Sequence, residues 1–307
     1  MCGHLPKILQ NGPSCAASIT LHYAEFVSLA DMRKYCERMS FAFSLDDYDL
    51  DGFISVVAHF GQDKFGFVVT PNVDHLIRFH DEFEFRSAYS DASYILLDSR
   101  VLCYAFRIAK GIRTKVCTGS DLTARLFDRV IVSNDKIVLI GGDDAQVRLL
   151  IEKFALKDIH HYNPPMGFAR DPQAIEVCLR FIEAHSPFRF CFLAVGAPQQ
   201  EMLAQRLKVR GVARGLVLCI GASINFLTGS ERRAPKWMRR IGGEWLFRLM
   251  LNPRRLGRRY LIRGPRVLPL LWQTKLRLRP PAAIDPAGPC STLVTTTVGE
   301  TRTPGSV

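Results

Sequence analysis

The chain has 307 residues, of which 48% are apolar and 23% charged, and its formal net charge is +12. This length and apolar content can bury a substantial core in one large domain or two small ones. The sequence has no run of eighteen uncharged apolar residues, so no membrane-spanning helix is expected, and its first residues lack the apolar core of a signal peptide.

The nine cysteines are scattered along the chain, and no two of them have CxxC spacing. This usage predicts buried thiols in a reducing cytoplasm, with neither a disulfide framework nor a zinc site.

Short apolar runs rich in β-formers alternate with helical stretches. The predicted strands are 65–69, 94–97, 136–140, 190–195 and 216–220, and the predicted helices between them include 122–130, 144–154, 173–184 and 200–208. The alternation predicts an α/β fold of Rossmann-like type, in which a mostly parallel sheet is covered by helices on both faces.

Ligands of such sheets bind beyond the carboxyl ends of the strands, so the loops that follow strands are candidate sites. Thr70, Pro71 and Asn72 follow the first of these strands, and their short polar side chains could face a ligand. A turn that caps a helix explains the same residues and is the commoner case.

Asp98 directly follows the strand at 94–97. A carboxylate there can serve as a general base, because burial raises its pKa. A helix cap or a partner for Arg100 explains it equally well.

Three further loops are weaker candidates. Residues 118–122 (TGSDL) can begin a helix with an anion-binding N-terminus, and residues 163–168 (NPPMGF) have the composition of a ligand-facing loop. Residues 140–144 (IGGDD) resemble a nucleotide-binding turn but are not GxGxxG, so a tight strand-to-helix connection is enough to explain them.

The most distinctive loops are 196–201 (GAPQQE) and 220–223 (IGAS), each of which follows a strand. Gly196 and Gly221 allow the backbone to approach a ligand closely, and Gln200 with Glu201 supplies hydrogen bonds that can bind a sugar or a uracil ring. We expect the two loops to line one crevice.

Residues 232–279 carry fifteen Lys or Arg and one acid, Glu244, whereas the rest of the chain is nearly neutral. Apolar residues recur there at steps of three and four, which predicts two or three short basic amphipathic helices. Such helices bind an anionic membrane surface. Alternatively, the apolar face packs on the protein's own core. Some parts of this segment can bind a membrane while other parts pack on the core.

Taken in order, these motifs, together with residues 232–235 (RRAP) and 243–260 (GEWLFRLMLNPRRLGRRY), resemble the WecG/TagA/CpsF family of bacterial glycosyltransferases from about residue 40 to 270. The resemblance implies inverting transfer of a hexosyl or N-acetylhexosaminyl group from a UDP-sugar to a polyprenyl-diphosphate-linked saccharide, in surface polysaccharide biosynthesis. It implies no essential metal and no cofactor. It also implies a peripheral location on the inner face of the cell membrane and allows a homo-oligomer.

The resemblance assigns roles to particular residues. Asp98 matches the proposed catalytic base, and Thr70 and Asn72 match active-site residues of the family. Donor and diphosphate binding would fall to Gln200, with Gly196 and Gly221 beside it, and to three arginines of the appendage, Arg248, Arg255 and Arg258. Ser99 and Val116 depart from the family's usual Gly and Arg.

The predicted domains are an N-terminal extension over 1–35, a catalytic α/β domain over 36–230, a basic appendage over 231–279 and a disordered tail over 280–307. Two other functions stay open, a catalytically inactive family member and a basic nucleic-acid-binding protein. The interleaved Trp and Leu residues count against the second, so no nucleic acid partner is expected. A Rossmann-like oxidoreductase is disfavoured because GxGxxG is absent.

Overall fold

The computed structural model of the protein describes residues 42–281, apart from the side chains of Lys236 and Arg255. The predicted N-terminal extension and nearly all of the predicted disordered tail lie outside this part. The chain divides between Phe43 and Ser44 into two units, and all described residues except Ala42 and Phe43 belong to the second.

Strands and helices alternate through most of the described part. The strands are β1 (Ala42–Asp46), β2 (Phe65–Val69), β3 (Tyr94–Ile95), β4 (Lys136–Ile140), β5 (Asp158–Tyr162), β6 (Phe190–Leu193), β7 (Gly215–Cys219) and β8 (Lys275–Arg279). The helices before β7 are α1 (Leu50–Ala58), α2 (Val73–Asp81), α3 (Phe83–Ser90), α4 (Arg100–Lys110), α5 (Gly119–Arg129), α6 (Asp144–Phe154), α7 (Pro172–Ala184) and α8 (Gln199–Arg210).

The helices after β7 are shorter. They are α9 (Ser223–Leu227), α10 (Lys236–Arg240), α11 (Glu244–Leu251), α12 (Pro253–Gly257) and α13 (Val267–Gln273). A π-helical turn (Arg258–Arg263) and a 3-10 turn (Gly264–Arg266) connect α12 to α13.

Six strands form one sheet in the order β3-β2-β7-β6-β4-β5, and all neighbouring pairs are parallel. In its centre Val217 lies opposite Phe67 on one side and Cys191 on the other. Parallel neighbours require crossover connections, which the helices supply. The predicted α/β class with a mostly parallel sheet is confirmed.

The central strands are buried along almost their whole length, because helices cover the sheet. Phe67, Phe190 and Phe192 are fully buried, and Phe127 of α5 stacks on Phe192 with ring centroids 5.1 Å apart. This core fixes the carboxyl ends of β2, β6 and β7 at a common edge of the sheet.

Three strands were not predicted. Edge strand β5 has the polar sequence DIHHY and is only half-buried. β1 and β8 form a separate two-stranded sheet, in which Arg279 donates to Asp46 at 2.6 Å. The same Asp46 carboxylate accepts the N–H of Ile95 at 2.7 Å, so it joins the small sheet to β3.

The basic appendage predicted over 231–279, called the C-terminal segment from here on, packs partly on the α/β core. Val267 and Leu271 of α13 are buried, and α13 contacts α2 and α4. Trp237 and Trp272, by contrast, are 62% and 69% exposed. One part of the apolar surface of this segment is therefore used in folding and another part is open.

Phe192→Ala should lower the free energy of unfolding by about 3–5 kcal/mol, because it removes a ring from the centre of the core and leaves a cavity. Urea unfolding followed by circular dichroism measures this change. Val209→Ala, at a site that is 78% exposed, is the matched control and should change it by less than about 0.5 kcal/mol. Equal effects of the two substitutions would contradict the assigned core.

Candidate active site

The loops after β2, β3, β6 and β7 lie at the carboxyl edge of neighbouring strands. The order of the strands brings Thr70, Asp98, Gly196 and Gly221 to that edge. The prediction that the GAPQQE and IGAS loops line one crevice is confirmed, since both line the same cavity.

Asp98 is held by backbone hydrogen bonds on two sides. Its own N–H donates to the carbonyl of Pro71 at 2.9 Å, and its Oδ1 accepts the N–H of Gly119 at 2.8 Å. Burial raises the pKa of the Asp98 carboxyl, against the opposing effects of the Gly119 N–H and the positive charge of Arg248. A carboxylate with a raised pKa beside a cavity can accept a proton from a hydroxyl group.

Ser99 has a structural role. Its Oγ accepts the N–H of Leu102 at 3.1 Å and caps α4. The residue that departs from the usual family pattern therefore starts the helix that follows Asp98, while Asp98 keeps its own contacts.

Thr70 and Asn72 shape the loop after β2. The Thr70 hydroxyl donates to the carbonyl of Cys219 at 3.4 Å, which links β2 to β7. Asn72 Oδ1 caps α2 by accepting the N–H groups of Asp74 and His75 at 3.0 and 3.4 Å. Thr70 and Asn72 therefore both stabilise the protein backbone around this loop, and both also line the cavity beside Asp98.

A buried network lies beneath these loops. Asn72 N–H donates to His75 Nδ1 at 3.4 Å, and the other ring nitrogen, Nε2, contacts Glu201 Oε1 at 3.3 Å. Gln200 Nε2 donates to the same Glu201 oxygen at 2.7 Å, and Gln200 Oε1 accepts the N–H of Gly221 at 2.9 Å. The fully buried Glu201 thus joins three loops of the site.

Glycine is required at two positions of these loops. Gly196 has φ = 80° and Gly221 has φ = 52°, in the left-handed region that disfavours side chains. Their backbones can therefore turn at the cavity wall.

The N-terminus of α5 connects the core to the basic segment. Thr118 caps the helix, and Asp121 pairs with Arg233 at 2.7 Å and with Arg239 at 3.3 Å. Although burial opposes it, hydrogen bonding from Thr118 and the charges of Arg233 and Arg239 lower the pKa of Asp121. These pairs hold the start of the appendage against α5.

Two cavities meet at Asp98. The larger has a volume of about 460 Å³ and is lined by Thr70, His75 and the GAPQQE and IGAS loops. The smaller has about 300 Å³ and lies among α2, α4 and the C-terminal segment. Six residues line both cavities: Asn72, Asp98, Ser120, Arg248, Arg259 and Tyr260.

The arginines of the C-terminal segment differ in position. Arg248 donates to Glu244 at 2.6 Å, lies over the ring of Phe226 at 4.8 Å and lines both cavities. Arg259 lines both cavities as well and pairs with Asp74 at 3.5 Å. Arg258 is exposed and lines neither cavity, and the Arg255 side chain lies outside the described part.

The structure thus brings together Thr70, Asn72, Asp98, Gly196, Gln200, Gly221 and Arg248 of the predicted residues. Glu201, which the sequence predicted to contact a ligand, is fully buried and instead binds His75 and Gln200. Sequence reasoning missed His75 and Arg259. The basic pair at 258–259 was a visible signal, but which member of the pair faces the cavity depends on helix geometry. The IGGDD turn and the NPPMGF loop line neither cavity.

Comparison with known proteins identifies the family to which this chain belongs. The model of the glycosyl transferase WecG/TagA/CpsF family matches residues 39–281, and the chain belongs to this family.

Among curated proteins, the chain is similar to an N-acetylglucosaminyldiphosphoundecaprenol N-acetyl-β-D-mannosaminyltransferase of Bacillus spizizenii. The two are 28% identical over 219 residues, which cover 68% of this chain and 81% of the relative. The family and this relative support glycosyltransferase activity.

Within residues 42–281, no helix is long and apolar enough to cross a membrane. The same residues contain no group of three or more His, Cys, Asp or Glu side chains placed to hold a metal ion.

Asp98→Asn should raise the free energy of unfolding at pH 7. The raised pKa means that the folded state binds this proton more tightly than the unfolded state, so the ionised carboxylate costs stability above that pKa. The difference between the variant and the wild type should shrink as the pH falls through the folded pKa. Urea unfolding at pH 7 and at a series of lower pH values measures both effects.

Asp128→Asn, at an exposed position of α5, is the control and should leave stability nearly unchanged. A clear loss of stability in Asp98→Asn at pH 7 would show that the ionised form is favoured in the folded protein.

Proposed function

We propose that the protein is an inverting glycosyltransferase that moves a hexosyl or N-acetylhexosaminyl group from a UDP-sugar to a polyprenyl-diphosphate-linked saccharide. The observation that carries this proposal is the position of Asp98, a carboxyl with a raised pKa at the meeting of two cavities. A two-substrate transfer needs a base at the place where the substrates meet.

The larger cavity is suited to the nucleotide sugar. Its wall contains turns at Gly196 and Gly221, where the backbone can approach a ligand closely, and three arginines, Arg232, Arg248 and Arg259. Guanidinium groups bind phosphate oxygens through paired hydrogen bonds. The UDP-sugar would place its diphosphate beside these cations and its anomeric carbon toward Asp98.

The reaction would be a single displacement. Asp98 Oδ1 is occupied by the Gly119 N–H, so Oδ2 would take the proton of the acceptor hydroxyl. The hydroxyl oxygen forms a bond to the anomeric carbon as the bond to the phosphate oxygen breaks, and UDP leaves with the bonding electrons. Attack opposite the leaving group inverts the anomeric configuration.

Cations would stabilise the charge on the departing UDP. Arg248 and Arg259 line both cavities and would therefore lie beside the bond that breaks. Fixed charges that face the developing negative charge lower the barrier without rearrangement of solvent. In this proposal Arg259 takes the place that the sequence assigned to Arg258.

We further propose that the C-terminal segment binds an anionic membrane face, where a polyprenyl-linked acceptor resides. Its exposed apolar residues include Trp237, Ile241, Leu261, Ile262, Leu268 and Trp272. Arginines lie between them in the sequence, and interfacial helices combine these two features. Such binding would bring the cavities to the lipid-linked substrate.

Asp98→Asn should lower turnover by roughly 10²–10⁴-fold, because the amide cannot accept the hydroxyl proton. The assay is UDP release from a panel of UDP-sugars in the presence of a polyprenyl-diphosphate-linked saccharide. Asp135→Asn, in the turn before β4, is the control and should keep wild-type turnover. Acceptor-dependent turnover in Asp98→Asn near the wild-type rate would remove Asp98 from the mechanism.

Trp237→Ala combined with Trp272→Ala should weaken binding to anionic vesicles by tenfold or more, since each buried large side chain contributes roughly 1.5–3 kcal/mol. Flotation of the protein with vesicles of anionic or neutral lipid gives the bound fraction. Val132→Ala, at an exposed site of the α/β domain, controls for general loss of apolar surface. Unchanged flotation of the double variant would contradict the proposed membrane face.

A further inference from the structure

Helix α4 of the α/β domain exposes an apolar stripe to solvent. Its inner side is buried through Leu102 and Phe106, as expected for a helix that covers a sheet. On the outer side Val101, Tyr104 and Ile108 are 38%, 45% and 85% exposed. These three residues follow one another at steps of three and four, so they lie within about 60° around the helix axis. α4 therefore has a second apolar side, which faces solvent.

Cations lie beside this stripe. Between Asp98 and Asp121 the chain has no acid and five cationic residues: Arg100, Arg107, Lys110, Arg113 and Lys115. Lys115 pairs with Asp49 at 3.5 Å, whereas the other four have no carboxylate partner among the residues that the structure describes. The α/β domain thus carries a local excess of positive charge around α4.

The stripe lies between two exposed apolar parts of the C-terminal segment. At the beginning of α4 the turn at Gly242 lies against Val101, and the preceding residue, Ile241, is 67% exposed. At the end of α4 Lys110 Nζ donates to the carbonyl of Trp272 at 2.8 Å, and the Trp272 side chain is 69% exposed. The exposed side of α4 is therefore continuous with the surface that the C-terminal segment exposes.

We propose that α4 is a second membrane-binding element, which inserts Val101, Tyr104 and Ile108 into the interface of an anionic bilayer. Interfacial helices combine apolar side chains that reach the acyl boundary with cations that contact anionic head groups. Tyrosine suits this position because its ring is apolar and its hydroxyl is polar. The inference rests on the proposed membrane binding of the C-terminal segment and adds a part of the α/β domain to that surface.

A second copy of the chain is a poorer partner for this side of α4. Two such helices in contact would bring the cations of one copy, including Arg107 and Arg113, close to those of the other. Like charges that face each other across an interface cost free energy. An anionic bilayer supplies the opposite charge and an apolar interior, so the composition of this surface favours lipid.

Contact through α4 would orient the catalytic domain on the membrane. The helix has 11 residues, so it is about 16 Å long, and it begins two residues after Asp98. Arg100 and Val101, at this end of the helix, also line the smaller cavity. A helix that lies along the bilayer surface would therefore keep Asp98 and this cavity close to the head groups.

Ile108→Glu should weaken binding of the full-length protein to anionic vesicles about tenfold or more. The substitution removes an apolar side chain from the interface and adds a charge that anionic head groups repel. Flotation with vesicles of phosphatidylglycerol and phosphatidylcholine gives the partition coefficient. Val209→Glu adds the same charge at a 78% exposed site of α8 and should bind within about twofold of the wild type. Unchanged binding of Ile108→Glu, or equal losses in both variants, would overturn the proposal.

Ile108→Trp gives a direct readout of insertion. Vesicles with brominated acyl chains quench the fluorescence of a tryptophan that reaches the acyl boundary. Ile108→Trp should therefore show a larger quenched signal than the wild type, whereas the added signal of Val209→Trp should stay unquenched. No additional quenching in Ile108→Trp would show that α4 stays outside the bilayer and would overturn the proposal.

These measurements separate the role of α4 from the other proposals. Wild-type protein that does not float with anionic vesicles would contradict membrane binding by the C-terminal segment as well. Flotation of the wild type and of Ile108→Glu alike would overturn only the role of α4. A change in the sedimentation of Ile108→Glu without lipid would assign this surface to contact between copies instead. None of these experiments needs turnover, so failure of the proposed transferase reaction would appear separately, as absence of UDP release.

Discussion

The hydrogen bond from the Gly119 N–H to Asp98 Oδ1 joins the end of β3 to the beginning of α5. Around this contact the other parts of the site are arranged. Thr118 caps the same helix end, and Asp121 places a negative charge there. Arg233 and Arg239 pair with Asp121 and so attach the C-terminal segment to this helix end. The position of the proposed base and the position of the cations therefore depend on one helix terminus.

The buried Glu201 has a similar organising role on the donor side. It holds Gln200 and His75, and through them the backbone at Gly221 and Asn72. The sequence pattern singled out Gln200 as a donor-binding residue, and the structure places both ends of its amide in contacts within the protein. Gln200 lines the larger cavity and at the same time fixes the turn that faces it.

Much of the fold could be predicted because buried parallel strands are continuous apolar runs. The bounds of β2 and β4 agree with the prediction. β5 was not predicted because DIHHY is polar. β8 was not predicted because KLRLR, although its Leu and cationic residues alternate as in a strand, lies at the end of a basic segment whose other apolar residues have helical spacing. Edge strands keep fewer apolar residues, so hydropathy alone does not find them.

The arginines show the limit of motif matching. The resemblance grouped Arg248 with Arg255 and Arg258, but in a regular α-helix Arg259 lies about 20° from Arg248 around the axis and Arg258 about 80° from it. The segment is interrupted between α11 and α12 and continues as a π-helical turn over Arg258–Arg263, and it is Arg259 that lines the cavities. The site around Asp98 was predictable from loops after strands, whereas its second cation was not given by the motif.

The most direct test of the account is a crystal structure of the protein with UDP and a farnesyl-diphosphate-linked saccharide bound together. UDP is expected against the Gly196 and Gly221 turns, with an acceptor hydroxyl about 2.6–3.2 Å from Asp98 Oδ2. UDP bound away from these turns, or a different carboxylate at the acceptor hydroxyl, would contradict the proposed mechanism.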